Sequence, residues 1–370
     1  MIIRKDHFMK QYRVDIIGAT GMVGQRFVTL LENHPWFKVT ALAASASSAG
    51  KTYLEAVGGR WAFDWDIPAY VRDMVVMDAS ECEKVASMVD FVFCAVALPK
   101  DKTRELEEAY ARTETPVVSN NSACRMLPDV PMVIPEINSD HTRVIPAQRK
   151  RLGTERGFIT VKPNCSIQNY VPALSPLRNY GIRKISVCTY QAISGAGKTF
   201  KRWPEMIDNM IPFIGGEEEK SEKEPLKIWG VLNSDLSAIV NAAEPVISAQ
   251  CLRVPVTDGH MSAVSVSFDT VPEEAAIIDA WRRFDSPAAR LGLPSAPKQF
   301  LNYFEEPDRP QTRLDRSIEN GMGVAIGRLR RDNLFDYKFV TLSHNTLRGA
   351  AGGGVLSAEM LCALGYIQNK

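Results

Sequence analysis

A thiol in a polar setting, a histidine after a tight turn and a glycine-rich stretch are the groups in this chain best suited to chemistry. Cys165 lies in Val161-Lys162-Pro163-Asn164-Cys165-Ser166, and His260 ends Thr257-Asp258-Gly259-His260. Gly18-Ala19-Thr20-Gly21-Met22-Val23-Gly24 precedes both. Glycines at such a turn, Gly18, Gly21 and Gly24 here, let the backbone approach a pyrophosphate, and the helix that follows offers it free N–H groups. A thiol, an imidazole and a pyridine nucleotide together imply acyl chemistry. The sulfur takes an acyl group, a hydride is exchanged at that carbon, and the histidine moves the proton. A thiol is mostly protonated at neutral pH, so Cys165 needs a base or a positive field.

Seven cysteines stand at 82, 94, 124, 165, 188, 251 and 362. Six read as packing residues, with Cys94 inside an apolar strand and Cys188 and Cys362 on apolar patterns. The odd count, the scattered spacing and the lack of a CxxC pair argue against a disulfide framework or a zinc site. No metal is expected, and a reducing cytoplasm is. Of five histidines, His7, His34 and His141 fall in segments predicted to lie on the surface, and His344, beside Asn345 near a strand end, stays open. Asn164-Cys165-Ser166 and Asn120-Asn121-Ser122 match the glycosylation pattern by accident, because no secretion signal precedes them.

The charged set is smaller. Arg253 lies on the same short stretch as His260, and a fixed guanidinium suits a carboxylate or phosphate. Glu217 and Lys220 are i, i+3 and share a helix face, a spacing that alone reads as a solvated ion pair. Arg125 follows a predicted parallel strand, where ligands bind in such sheets. An NAD site usually carries Asp or Glu after the second strand. Here that stretch reads Ala43-Ala44-Ser45-Ala46-Ser47-Ser48-Ala49-Gly50-Lys51, without a carboxylate. The hydroxyls of Ser45 and Ser48 and the ammonium of Lys51 suit an extra phosphate, which favours NADP. A solvated serine loop is the plainer alternative.

These groups need elements to hold them. The chain has 370 residues, with 45% hydrophobic and 24% charged residues, which suits a water-soluble fold with an ample core. That length gives two domains at roughly 100–200 residues each. A net charge of +1 gives no electrostatic case for nucleic acid or membrane binding. No apolar run reaches the roughly 18 residues of a spanning helix. Met1–Met9 reads as a short extension. Strands at Tyr12–Ile17, Phe37–Ala43, Val89–Ala97 and Pro116–Ser119 alternate with helical patterns at Met22–Asn33 and Leu106–Arg112. This predicts an α/β fold with a Rossmann-like, doubly wound parallel sheet over 1–160. Later strands, Ile182–Gln191, His260–Thr270, Met322–Leu329 and Asp336–Leu342, alternate in polarity. They predict an α+β catalytic and dimerisation domain over 161–345 with a mostly antiparallel sheet. A helix within 346–370 completes the first domain.

Together these stretches resemble the aspartate-β-semialdehyde dehydrogenase family, in its archaeal and fungal-like branch, over nearly the whole chain. The markers include the glycine loop, Ser119-Asn-Asn-Ser122, Val133-Ile-Pro-Glu-Ile-Asn138, Pro163-Asn-Cys-Ser166 and Tyr190-Gln-Ala-Ile-Ser-Gly-Ala-Gly197. They continue with Gly216-Glu-Glu-Glu-Lys220, Arg253-Val-Pro-Val-Thr-Asp-Gly-His260, Arg309–Arg316 and His344-Asn-Thr-Leu-Arg-Gly-Ala-Ala351. The resemblance implies Cys165 as acyl-thioester nucleophile, His260 as acid/base and Gln191 as the residue orienting the acyl group. It implies Arg253 for the substrate α-carboxylate, Glu217 for its ammonium, and Arg125 and Lys220 for phosphate. Asn164 joins the substrate-binding set. Thr20, Gly21, Met22, Val23, Ser45, Ser48, Ser194, Gly195 and Asn345 would line the NADP site.

The implied reaction is NADPH-dependent conversion of β-aspartyl phosphate to aspartate β-semialdehyde, within lysine, methionine, threonine and isoleucine biosynthesis. The implied assembly is a homodimer or homotetramer. Relatives often carry Arg between the two loop serines where this chain has Ser47, so one contact to the 2′-phosphate is missing. A malonyl-CoA-type acyl-CoA reductase is the competing enzyme. It has no substrate ammonium for Glu217 to meet. The Glu-Glu-Glu-Lys stretch also disfavours an N-acetylglutamyl-phosphate reductase. A catalytically dead NADP sensor predicts loss of the thiol or imidazole, and both are present.

Overall fold

The computed structural model describes residues 11–370. Met1–Met9, and His7 with it, lie outside them. Six parallel strands form the first sheet: β1 Tyr12–Ile17, β2 Phe37–Ala44, β3 Met77–Asp78, β4 Phe91–Cys94, β5 Val117–Ser119 and β6 Ile159–Val161. Their spatial order is β3-β2-β1-β4-β5-β6. That order reverses between β1 and β4, and the crevice at the carboxyl ends of such strands is where ligands bind. β1 and β4 are buried almost throughout, and β4 reads as a continuous apolar run for that reason, whereas β1 carries Arg13 and Asp15 among its apolar residues. Strand β6 straddles the expected boundary at residue 160, so the parallel sheet runs to Val161. Its three residues are too few to show a pattern in the sequence.

The second sheet has the order β10-β7-β11-β14-β13-β12. It comprises β7 Ile182–Gln191, β10 Val246–Arg253, β11 His260–Phe268, β12 Leu301–Phe304, β13 Val324–Arg331 and β14 Tyr337–Ser343. A two-stranded ribbon, β8 Val231–Leu232 with β9 Ile239–Val240, stands apart from it. β7–β11, β11–β14 and β14–β13 are antiparallel, whereas β10–β7 and β12–β13 are parallel. β11 alternates strictly between buried and half-buried residues, as a sheet with one covered face requires.

The helix Ala351–Ala363 returns to the first sheet. Its Val355, Leu356 and Leu361 share a core with Val14, Ile16 and Phe27. Just before it, Arg348 makes a buried two-pronged ion pair with Glu136, at 2.5 and 2.8 Å. Two histidines expected at the surface are buried instead. His34 bonds to Glu359 Oε1 at 2.8 Å and stacks on Phe37, and His141 lies between Asn138 and the Gly230 carbonyl. Each is covered by a segment distant in sequence, which local polarity does not reveal. Among the described residues, no helix is long and apolar enough to cross a membrane.

Candidate active site

Strand register assembles the catalytic group. β10 runs parallel to β7 with Arg253 opposite Gln191. β11 runs antiparallel to β7 with Met261 opposite Tyr190, so His260 enters where β7 and β10 end. From the other sheet, the turn after β6 carries Cys165. Asn164 shapes that turn, accepting bonds from Ser166 N at 2.8 Å and Ser166 Oγ at 2.7 Å. Cys165 Sγ stands 3.5 Å from His260 Nε2.

The histidine is held in one orientation. Asn169 Nδ2 donates to the His260 carbonyl at 2.7 Å, and the Ala192 N–H donates to Nδ1 at 3.0 Å. A backbone N–H can only donate, so the proton of the neutral ring sits on Nε2, facing the sulfur. Burial pushes the imidazolium pKa well down, and the positive charge of Arg253 adds to the effect. Burial also pushes the Cys165 thiol up, as does Glu217, while Lys162, Arg125 and Arg253 pull it down. The net direction is upward, so the positive field and the N–H donor oppose the cost of burial without cancelling it.

Glu217 is the hub of the polar set. It opens the helix Glu217–Ile228, whose first turn holds three glutamates, a favourable placement at the positive end of the helix dipole. Its Oε1 accepts from Asn164 Nδ2 at 3.0 Å and Lys220 Nζ at 2.7 Å, and its Oε2 accepts from Gln191 Nε2 at 3.3 Å. A carboxylate offers about four acceptor positions, so Glu217 keeps room for one more donor. The Glu217–Lys220 pair exists as the spacing predicts, but its carboxylate is buried rather than solvated.

Arg253 Nη1 donates to the Ala192 carbonyl at 2.7 Å. A methyl group at Gly195 would come within 3.0 Å of the His260 ring and 2.9 Å of Arg253, so only glycine leaves the space between them open. Asn345 bonds Ser194 Oγ and the Gly259 N–H, each at 2.8 Å, and so joins both loops around that space.

Two residues beside the site were not expected. Glu224 pairs with Arg125 Nη1 at 2.9 Å and accepts the Asn164 N–H at 2.6 Å. It stands two turns beyond Glu217 on the same helix, a spacing that could have revealed it. Lys162 is buried, and burial lowers its ammonium to a pKa of about 7. Arg125 is more engaged than expected, since its other nitrogens bond to the Lys162 and Asn120 carbonyls. His344 is also buried. Burial pushes it down to about 4, and its Nδ1 accepts from Thr346 N at 3.3 Å.

The glycine loop borders a cavity of about 290 Å³ at the carboxyl ends of the first sheet. Gly18, Thr20, Gly21 and Ser45 line it, with Ala79 and Ala95–Leu98 opposite. Gly18 has φ +88°, and a Cβ there would meet the Ala95 carbonyl at 2.5 Å. A small polar rim over an apolar wall fits a nucleotide. Met22, Val23 and Gly24 open the helix Met22–Leu31 behind the loop. Ser48, Lys51, Ser194, Gly195 and Asn345 do not line this cavity. Lys51 Nζ instead donates to the Ser47 carbonyl at 2.8 Å.

Two family descriptions match the chain: "Semialdehyde dehydrogenase, NAD binding domain" over residues 13–145 and "Semialdehyde dehydrogenase, dimerisation domain" over 174–348. Aspartate-semialdehyde dehydrogenase of Archaeoglobus fulgidus is 44% identical over 95% of this chain and 98% of its own length. That of Schizosaccharomyces pombe is 43% identical over 96% and 99%. The Candida albicans aspartate semialdehyde dehydrogenase solved with NADP superposes with a TM-score of 0.86 at 38% identity, over 96% of this chain and 100% of that one. The likenesses to these relatives run over nearly the whole chain, and on them the chain belongs to the aspartate-semialdehyde dehydrogenase family.

Proposed function

We propose that this chain reduces β-aspartyl phosphate to aspartate β-semialdehyde with NADPH, reversibly, through a thioester on Cys165. This places it in the biosynthesis of lysine, methionine, threonine and isoleucine. The carrying observation is the 3.5 Å approach of Cys165 Sγ to His260 Nε2, flanked by Arg253 and Glu217. The thiolate attacks the acyl carbon, and phosphate leaves beside Arg125 and Lys220. When bound, the nicotinamide cofactor supplies a hydride to that carbon. His260 shares its Nε2 proton with the oxygen that gains charge, and recovers it as the carbon–sulfur bond breaks and Cys165 is released.

Charge matching supports the substrate. It offers a carboxylate, an ammonium and a phosphate, and the site offers Arg253, Glu217, and the pair Arg125 and Lys220. Gln191, held by Glu217 and Thr189, orients the acyl group. The cofactor domain comprises the residues up to about 160 with 346–370, and 161–345 form the catalytic and dimerisation domain. The assembly is a homodimer, or a dimer of such dimers, and Ile207, Met210, Phe213, Val231, Val240 and Val246 are exposed apolar residues suited to it. All seven cysteines are free thiols, which suits the cytoplasm.

The deciding assay is reduction of NADP or NAD by aspartate semialdehyde with and without inorganic phosphate. Phosphate-dependent reduction of NADP is expected. Turnover that ignores phosphate, with activity on an acyl-CoA, would overturn the reading in favour of an acyl-CoA reductase.

A further inference from the structure

The extra phosphate of NADP needs a cation, and the stretch after β2 supplies only Lys51. Its ammonium is turned onto the Ser47 carbonyl and does not line the nucleotide cavity. Among the described residues that do line it, Arg60 has the only ionisable side chain. Ser45, at the end of β2 where the adenosine ribose binds in this sheet order, lines the same cavity.

Arg60 is built into place. Buried Gln25 donates from Nε2 to both the Thr20 carbonyl, at 2.9 Å, and the Arg60 carbonyl, at 3.1 Å. Its Oε1 accepts the Ala62 N–H at 2.9 Å. One amide therefore brackets Arg60 against the glycine loop. From the second domain, Arg202 Nη2 donates to the Gly59 carbonyl at 2.8 Å, tying the same turn from the other side. The guanidinium bonds only backbone carbonyls, those of Val57 and Ala56, so its charge is not neutralised by a carboxylate among the described residues. A guanidinium presents several N–H groups in a fork suited to phosphate.

We infer that Arg60, with Ser45, binds the 2′-phosphate and is the main determinant of NADP over NAD, in place of the basic residue absent at Ser47. This rests on the proposed use of NADP. Calorimetric titration of NADP, NAD, 2′,5′-ADP and 5′-AMP into wild type, Arg60→Ala, Arg60→Lys and Lys51→Ala tests it without turnover. Wild type should prefer NADP and 2′,5′-ADP. Arg60→Ala should lose roughly ten- to a hundredfold affinity for those two, the loss of a charge-assisted contact, and change within about twofold for NAD and 5′-AMP. Arg60→Lys should recover part of the loss, and Lys51→Ala should lose less than Arg60→Ala.

An equal loss for all four ligands would make Arg60 a pyrophosphate contact and overturn the inference. A discriminating wild type whose preference survives Arg60→Ala, or falls further in Lys51→Ala, would overturn it while leaving NADP use intact. A wild type that binds NAD as well as NADP would overturn both.

Discussion

Cys165 sits under opposed influences, and their balance decides whether it reacts. Burial and the Glu217 carboxylate favour the thiol, while Lys162, Arg125 and Arg253 favour the thiolate. The Nε2–H of His260 adds a directed donor on the same side. A serine at 165 would keep the turn, because the turn is held by Asn164 and not by the sulfur. Its hydroxyl would not ionise in that field. Cys165→Ser should therefore keep the wild-type melting temperature and NADP affinity but lose at least about a thousandfold in turnover. Steady-state assays beside thermal scans measure both. Turnover within tenfold of wild type would exclude the thioester route.

At the scale of elements, β1 carries an anomaly. Asp15 lies in the middle of this buried strand, and no well-aligned hydrogen bond reaches either carboxylate oxygen, although the nearby Ile16 and Ala43 backbone partly offsets the cost of burial. Burial raises its pKa to about 7. An unfolded Asp releases its proton near pH 4 (about 3.9). Between those values the native state binds more protons than the unfolded one. The carboxyl's contribution to stability is thus full below about pH 4 and is lost as pH rises through about 7. Asp15→Asn removes the titration. Its melting temperature should match or fall below wild type at pH 5 and exceed it at pH 8, by the equivalent of about 1–2 kcal/mol. Melting temperatures of the two proteins that differ by the same amount at both pH values would show that Asp15 does not titrate in this range.

At the scale of the molecule, the site exists because two sheets meet. Cys165 belongs to the turn leaving the parallel sheet, and Gln191, Arg253 and His260 belong to strand ends of the mixed one. The helix Ala351–Ala363 returns to the first sheet, and the Arg348–Glu136 pair anchors that return. The loops and strands around the second sheet are left with exposed apolar side chains, of which Phe213, in the loop before the helix Glu217–Ile228, is 69% exposed. A second copy would cover them. Phe213→Glu places a charge in that contact, and the variant should sediment at a lower mass than wild type at equal concentration. An unchanged sedimentation mass would place the subunit contact elsewhere.

How much of this is legible before folding differs by residue. Cys165, His260, the glycine loop and the Glu217–Lys220 spacing are local patterns, and local patterns survive in a linear reading because turn chemistry and helix period are properties of neighbours. The strand alternation that announced two sheets of different kinds is local as well. His34 and His141 were misread because what buries them is remote in sequence. Arg125 looked free because Glu224, ninety-nine residues away, gives no sign of pairing with it. Arg60 carries no motif and becomes visible only when Gln25 draws its turn against the glycine loop. The sequence by itself determined the chemistry on offer: a thiol, an imidazole, a nucleotide turn and a set of charges. Only the tertiary structure decided which charges meet. Pairing across tens of residues is set by register and packing, and neither leaves a local trace.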